Sequence, residues 1–507
     1  MKFLSASQIR EADAYTIDNK PIPSIQLMEK AASLCTDWIV NNLLISNSKI
    51  SVYCGIGNNG GDGLVIAQLL KLMNFDVNCI IVGNPTKGSE EFLINKKELE
   101  RVGLLPIIIN EESSLSNIKK TPDFIIDALL GTGLTRPAEG LIGVVIEHIN
   151  NSNTKRIAID LPSGLYVDKK HQPEDLIIKA DYTLTFQCPK LNFILPNYAE
   201  YVGEWHILDI GLMKSFIDDQ ESNFELLTKD RIAGYINKRK KFSHKGTYGH
   251  AVIIAGSKGK FGAAVLATNA CLRSGVGLCT VHSSTAGHDI LQLSCPEAMF
   301  FINSGENTLE SIASYSFFEA KTIGIGPGIG LNDGVRMFFK DLIKSHDKPM
   351  VIDADALTIL SESRDLLSMI PQRSILTPHP KEFERLFGAY KNDHDLIKLQ
   401  KECSEKLNCF IILKGAHTRI STPDGMFFIN STGNPGMAKG GSGDVLTGIL
   451  TALLSQGYEP EKVALLGVYI HGFAGDLASA DKGEVGMLPS DLIDQIPKAF
   501  EILKRQN

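Results

Sequence analysis

The sequence predicts an α/β protein of two unlike domains, each a three-layer α/β/α arrangement with a parallel sheet covered on both faces. Three observations carry this. Short Val- and Ile-rich runs alternate with longer helical patterns along most of the 507 residues, which is the rhythm of parallel strands joined by crossover helices. That rhythm lapses between Gly211 and Gly246, where "SFIDDQESNFELL" is acidic and "NKRKKFSHKG" is basic, and then restarts. A chain of this length also exceeds one ordinary core. A boundary near residues 215–228 is therefore expected, with domains at 1–218 and 225–507.

In the first half, "KISVYCG", "VNCIIVG", "PDFIIDALLG", "KRIAIDLPSG" and "ADYTLTF" read as buried strands. The stretches "DGLVIAQLLKLM" and "GVVIEHINNS" read as helices between them. In the second half the strands are "VIIAGS", "TIGIGPGIG", "PMVIDADAL", "SILTPHPKEFERLF" and "CFIILKGAHT". The closing "NPGMAKGGSGDVLTGILTALLSQG" is a glycine-rich turn that opens into an apolar helix. No internal repeat relates the halves.

Composition narrows the function classes. Hydrophobic residues at 43% and charged residues at 21% are those of a soluble globular protein. A net charge of −7 without long runs of one sign leaves no nucleic-acid footprint. The nine cysteines are scattered and form no C-x-x-C, which suits a reducing compartment and opposes a disulfide framework or zinc site. The N-terminus turns polar after four residues, and no apolar stretch approaches the length of a membrane span. A cytoplasmic enzyme or binding protein without nucleic-acid or membrane partners is expected, as a homo-oligomer.

In "GIGNNGGDG", Gly55, Gly57 and Gly60 satisfy G-x-G-x-x-G after a strand, the dinucleotide fingerprint. Its acidic companion, about twenty residues on at the end of the next strand, is missing: that strand ends in Gly83 and Asn84. The loop carries instead Asn58, Asn59 and Asp62. Amide carbonyls and a carboxylate are hard oxygen donors suited to a hard cation, glycines 60, 61 and 63 allow close backbone approach to a ligand, and a helix beginning near Asp62 points free N–H groups at an anion. The simpler reading is a strand-to-helix turn capped by Asp62. Two more polar loops, "DALLGTGLTRPAEG" with Asp127 and Arg136 and "DLPSG" with Asp160 and Ser163, belong at the same sheet edge, where ligands of doubly wound folds bind.

"GNNGGDG", "DALLGTG" and "DLPSG", in this order, resemble the NAD(P)H-hydrate epimerase family over residues 1–215. The resemblance implies a Rossmann-like domain that interconverts the R and S hydrates of NADH and NADPH. By position it implies a potassium ion held by Asn59, Asp127 and Ser163. It also implies substrate contacts from Asn58, Asn59, Gly60, Gly61 and Asp62, from Gly131, Thr132, Gly133, Leu134, Thr135, Arg136 and Pro137, and from Asp160. Epimerisation needs a bond broken and remade on the opposite face, and Asp127 is the candidate acid/base group. Lys190 is a further candidate whose simpler reading is a solvated lysine at a strand end.

In "AKGGSGDVLTGIL" the amides of residues 441–443 converge at a helix N-terminus, and Asp444 sits in the first turn, where it can accept the proton of an attacking hydroxyl. The simpler reading is a carboxylate that complements the helix dipole. The stretch resembles the ribokinase superfamily. With "HKGTYGHAVIIAGS", "GPGIG", "DADAL", "LTPHPKEFERL" and "KGAHT" it resembles more narrowly the ADP- or ATP-dependent NAD(P)H-hydrate dehydratases, from residue 228 onward. By position this implies nucleotide contacts from Lys414, Gly415, Ala416, His417, Thr418 and Gly443. Ala263, Gly328, His379 and Asp444 would face the hydrate, and magnesium would accompany ADP or ATP. "GSKGKFGAA" is not a Walker loop, because Phe261 follows Lys260. Asp353 and Asp355 either cap the following helix or approach the nucleotide; the basic run Lys238–Lys241 reads as a solvated linker face, and Lys439 as a phosphate contact or a tolerated substitution.

Together the two resemblances imply a bifunctional repair enzyme acting on NADHX and NADPHX, the hydrates of NADH and NADPH, with ADP or ATP as co-substrate. Two rivals stand beside it: a ribokinase-type small-molecule kinase fused to a dinucleotide-binding regulatory domain, and a first domain that only binds or scaffolds.

Overall fold

The computed structural model describes residues 1–20, 22–118, 122–302, 305–309 and 322–505. The chain forms two compact units, Met1–Ser222 and Asn223–Asn507.

The first unit contains strands β1 (Lys49–Cys54), β2 (Asp76–Val82), β3 (Ile107–Ile109), β4 (Phe124–Ala128), β5 (Lys155–Ile159), β6 (Tyr182–Phe186) and β7 (Glu204–Leu208). They form one sheet of order β3-β2-β1-β4-β5-β6-β7, parallel at each pairing. Both faces are buried, as continuous apolar strands require. Ile50, Val52, Cys54, Ile126 and Ala128 enter one core, while Tyr53 and Ile125 enter the other. The order reverses between β1 and β4, so the loops after these strands flank the crevice where ligands of doubly wound sheets bind. Strands β3 and β7 escape sequence detection because the first has three residues and the second is only half-buried at the sheet edge.

The glycine loop differs from expectation in two ways. The helix it opens runs Asn58–Leu72 with Gly57 as its cap, so Asp62 lies within the helix, buried, and caps nothing. Glycines 60, 61 and 63 face protein atoms. A Cβ on Gly60 would lie 1.8 Å from the Gly55 carbonyl oxygen, one on Gly61 2.7 Å from Met28 Sδ, and one on Gly63 2.6 Å from Ala128 Cβ. These glycines let the helix sit close against β1 and β4; the open position is Gly57, with nothing within 4 Å.

The second unit contains β8 (Phe224–Leu226), β9 (His250–Ile254), β10 (Leu278–Ser283), β11 (Met299–Ile302), β12 (Thr322–Ile325), β13 (Val351–Ile352), β14 (Ile375–Leu376), β15 (Phe410–Leu413), β16 (Arg419–Ser421) and β17 (Phe427–Ile429). Their order is β11-β10-β9-β12-β13-β14-β15-β16-β17-β8, with antiparallel pairing only at β15–β16 and β16–β17. Strand β8 lies inside the stretch where the sequence rhythm lapses, and its three residues were too few to register as periodicity. Alternation again separates two cores: Ala251 and Ile253 face one helical layer, Val252 and Ile254 the other. Helix Ser442–Ser455 lies directly on the sheet at Gly324, where a Cβ would meet Thr451 Oγ1 at 2.1 Å. The reversal of strand order here falls between β9 and β12.

One composition expectation is corrected. Helix Pro460–Lys482 has 23 residues and a mean hydropathy of 1.4 over its most apolar window, long and apolar enough to cross a membrane. Its charged ends hid it from the sequence reading. It is a core helix of the second unit, 67% buried over that window, and Val463, Leu466 and Ile470 pack with Leu450 and Leu453.

Candidate active sites

In the first unit, a cavity of about 730 Å³ opens at the switch point between β1 and β4. It is lined by the glycine loop through Asn58, Asn59 and Asp62, by Gly131 to Arg136 after β4, and by Asp160 after β5. Gly60, Gly61, Pro137, Asp127 and Ser163 do not line it. Arg10, Asp13 and Phe186 do, and the sequence reading missed all three.

Behind the wall is a compact oxygen cluster. Asp127, fully buried at the end of β4, accepts hydrogen bonds on Oδ1 from Ser163 Oγ at 2.6 Å and the Leu129 amide at 3.2 Å, and on Oδ2 from the Ser163 amide at 2.8 Å. Burial pushes its pKa up to about 6, against the lowering effect of those hydrogen bonds. Asn59 Nδ2 donates to the Leu130 carbonyl at 3.0 Å, and the Leu130 amide donates to Ser163 Oγ at 2.8 Å. Asn59 Oδ1 is buried and has no partner among the described residues. An orphaned buried acceptor is costly unless a ligand satisfies it. Amide, carboxylate, hydroxyl and carbonyl oxygens are the donors a hard cation takes, so the three residues expected to hold potassium are brought together with a donor set that fits one. Among the described residues no cluster of three or more His, Cys, Asp or Glu offers a transition-metal site.

Lys190 is not solvated. Its ammonium is fully buried and donates to Asp160 Oδ1 at 2.7 Å, Thr185 Oγ1 at 2.6 Å and the Phe186 carbonyl at 3.1 Å. Asp160 adopts φ 63°, a left-handed conformation rare outside glycine, and this aims its carboxylate at that ammonium. Asp62 is pushed well above the carboxylate range, first by burial and then by the charges of Asp160 and Asp13.

In the second unit the loops after β13, β14 and β15 meet the N-terminus of helix Ser442–Ser455. Gly441 reaches φ 105° to start that helix, a conformation that favours glycine. Lys414 Nζ, after β15, donates to Asp353 Oδ1 at 2.8 Å and lies 4.0 Å from Glu382 Oε2. Burial works to lower the Lys414 pKa, but Asp353 and Glu382 outweigh it and the ammonium is held above its ordinary range. Asp353 makes no capping bond to its own helix; its second oxygen accepts from Thr447 Oγ1 at 2.8 Å. Asp355 accepts from the Gly330 amide and pairs with Lys260 at 3.3 Å. Asp444 is pushed up to about 6, chiefly by burial and then by Asp353, with Lys414 opposing.

A cavity of about 650 Å³ is lined by His379, Lys414, Gly415, Ala416, Thr418 and Gly443, with Asn434, Met437 and His471 besides. Asp444, His417, Ala263 and Gly328 lie outside that lining. Ala263 and Gly328 are nonetheless neighbours: a Cβ on Gly328, which has φ 62°, would lie 3.3 Å from Ala263 Cβ. His379 serves its turn and the cavity together. Its Nδ1 accepts the amides of Lys381 and Glu382 as a helix cap, and its half-exposed ring carries Nε2 3.5 Å from Glu382 Oε1. Among the described residues Lys439 hydrogen-bonds no site group; it donates to the carbonyls of Val485 and Met487 and pins that loop. The basic run Lys238–Lys241 is exposed, and Lys238, Arg239 and Lys240 line a separate cavity of about 440 Å³.

Comparison with known proteins agrees with both halves. Residues 24–192 match the family model described as YjeF-related protein N-terminus, and residues 251–498 match that of NAD(P)H-hydrate dehydratase. A bifunctional NAD(P)H-hydrate repair enzyme of Thermofilum pendens is 34% identical over 99% of this chain and 97% of its own. The chain belongs to the bifunctional NAD(P)H-hydrate repair enzyme family. Its Escherichia coli K12 member is 33% identical over 88% of this chain and 84% of its own. A solved structure, the ADP/ATP-dependent NAD(P)H-hydrate dehydratase of Bacillus subtilis co-crystallised with ATP and magnesium, is 30% identical, with a TM-score of 0.47, over 54% of this chain and 97% of that one. The burial of Lys190 has a signal in the sequence that spacing hides: a lysine in an otherwise apolar stretch must be paired to be buried. Asp13 carries none, since the helix that presents it, Ala6–Asn19, is polar and far from every glycine loop.

Proposed function

We propose that the chain carries out both steps of nicotinamide-hydrate repair, with residues 1–218 epimerising the R and S hydrates of NADH and NADPH and residues 225–507 dehydrating the S hydrate. The nucleotide, ADP or ATP, drives loss of the hydroxyl and leaves AMP or ADP, phosphate and the restored dinucleotide. The observation that carries this reading is a separate cavity at the carboxyl edge of each sheet, in a chain matched along nearly its whole length by bifunctional repair enzymes.

In the first unit, Asn59, Asp127 and Ser163 would hold potassium, whose charge would keep Asp127 ionised and tie three loops together. The loop Gly131–Arg136 and Asn58 contact the anionic dinucleotide through backbone amides, and Asp160, fixed by Lys190, bonds the substrate's polar edge. In the second unit, Lys414 to Thr418 and Gly443 hold the nucleotide phosphates at the helix N-terminus. Ala263, Gly328, His379 and Asp444 face the hydrate, and Asp444 accepts the proton of its hydroxyl as the phosphoryl group is transferred. Magnesium would accompany the nucleotide, whose phosphates and water are the ligands it keeps. The reading also includes cytoplasmic placement and a homo-oligomeric assembly.

The test supplies a mixture of R and S hydrates with ADP, or with ATP, and follows the return of dihydronicotinamide absorbance. Full recovery is expected. Recovery that stops at the S fraction sinks the epimerase half, and no recovery with either nucleotide sinks the dehydratase half.

A further inference from the structure

The sequence nominates Asp127 for proton transfer in the first unit, but this carboxylate does not line the cavity and both its oxygens are already bonded to Ser163 and Leu129. Of the carboxylates that do line it, Glu139 is exposed at the rim, and Asp160 is committed to the Lys190 ammonium and the Phe186 amide. Asp62 also lines it but is buried, at 8% exposure. Asp13 is different. It reaches the cavity from the Ala6–Asn19 helix, at its half-buried surface, and its carboxylate makes no hydrogen bond or ion pair among the described residues.

We propose that Asp13 is the group that moves the proton when the hydrate opens and recloses in this cavity. The proposal rests on reading the first unit as the epimerase. In the opening step the hydroxyl on the hydrated ring carbon gives its proton to Asp13 as its oxygen forms a carbonyl. The carbon–nitrogen bond breaks with its electron pair retained on the ring nitrogen, which takes the proton back from Asp13. Rotation presents the other face of the aldehyde, the nitrogen attacks it, and Asp13 carries the proton from nitrogen to oxygen. No oxidant or co-reactant is consumed.

Such a relay needs a carboxyl that both accepts and returns a proton near neutrality. The groups facing Asp13 supply this. Burial raises it first, and the carboxylate of Asp160 after β5 raises it further, while Lys190 after β6 lowers it, leaving a pKa of about 7. Asp62 from the neighbouring helix interacts with it, as does Cys188 beside Lys190, itself pushed up to about 11 by burial; Arg10 lies one turn back on the same helix.

The experiment uses the full chain as Asp13→Asn and Asp13→Glu, with potassium present, and measures R-to-S interconversion above the spontaneous rate across pH 5–9. Dehydration of pure S hydrate with ADP by the same preparations reports that the second unit is folded, and thermal unfolding compared with the wild-type chain reports on the first. Asp13→Asn should lower kcat for interconversion by about 10²–10⁴-fold, leave KM within about threefold, and leave dehydration unchanged. The wild-type rate should rise with pH and level off above about 7, since the ionised form starts the reaction, and Asp13→Glu should regain part of the rate with a displaced inflection. Interconversion by Asp13→Asn at the wild-type rate and inflection, or a raised KM with unchanged kcat, overturns the proposal. A wild-type chain that never exceeds the spontaneous rate overturns the epimerase reading itself.

Discussion

Asp127, at the end of β4, and Asp444, in the first turn of helix Ser442–Ser455, each adjoin a glycine-bearing turn yet lie in different surroundings. Asp127 accepts three hydrogen bonds and stands beside an orphaned amide oxygen, the arrangement that supports its proposed role as a cation ligand. Replacing Ser163 by Ala removes a cluster oxygen together with one of those donors. It should raise the potassium concentration for half-maximal epimerisation roughly tenfold or more, as read by a potassium titration, with dehydration unaffected. Asp444 faces charges of both signs. With a pKa of about 6, chiefly from burial, its ionised form prevails at neutral pH, so dehydration should rise with pH and level off above about 6. A flat profile between pH 5 and 7 opposes its role as base. The sign for stability is opposite: this carboxyl is raised above its unfolded value, so its contribution is fully present below about 4 and fades as pH rises through about 6.

At the scale of elements, glycines divide into those that serve packing and those that serve a ligand. Gly60 and Gly63 let the Asn58–Leu72 helix approach β1 and β4. Gly60→Ala should cost stability at the upper end of the roughly 1–3 kcal/mol typical of overpacking, measured by thermal or urea unfolding. Gly57 has open space around its Cβ position and lines the cavity. Gly57→Ala should therefore leave unfolding nearly unchanged and raise the KM for the hydrate instead. Equal destabilisation by the two substitutions contradicts this division. The fingerprint spacing is visible in sequence, but which glycine faces protein depends on how closely the helix lies on its sheet.

At the scale of the whole chain, two units each place a cavity at the carboxyl edge of their own sheet, and the two proposed activities should separate by mutation. Asp444→Asn should abolish recovery of dihydronicotinamide absorbance, a loss of about 10²–10⁴-fold, while R-to-S interconversion continues at the wild-type rate when followed by separating the epimers. Loss of both activities in a folded variant would contradict independent sites. The long strands and the three glycine loops of the first unit were legible because buried parallel strands are continuous apolar runs and turns need glycine. Strands β3, β8 and β17, at three residues each, carry no period to detect.

The sequence by itself determined the fold class, the alternation that builds two doubly covered sheets, and the loops that carry Asn59, Asp127, Ser163, Lys414 and Asp444. Those are local properties: apolar period, turn chemistry and residue type. Tertiary structure alone decided that Lys190 is buried against Asp160, that Asp127 is turned away from the cavity, and that Asp13 is turned into it. Each depends on the environment that distant segments create around a charge, and the cost of desolvating a carboxyl or an ammonium is set by that environment rather than by its neighbours in the chain.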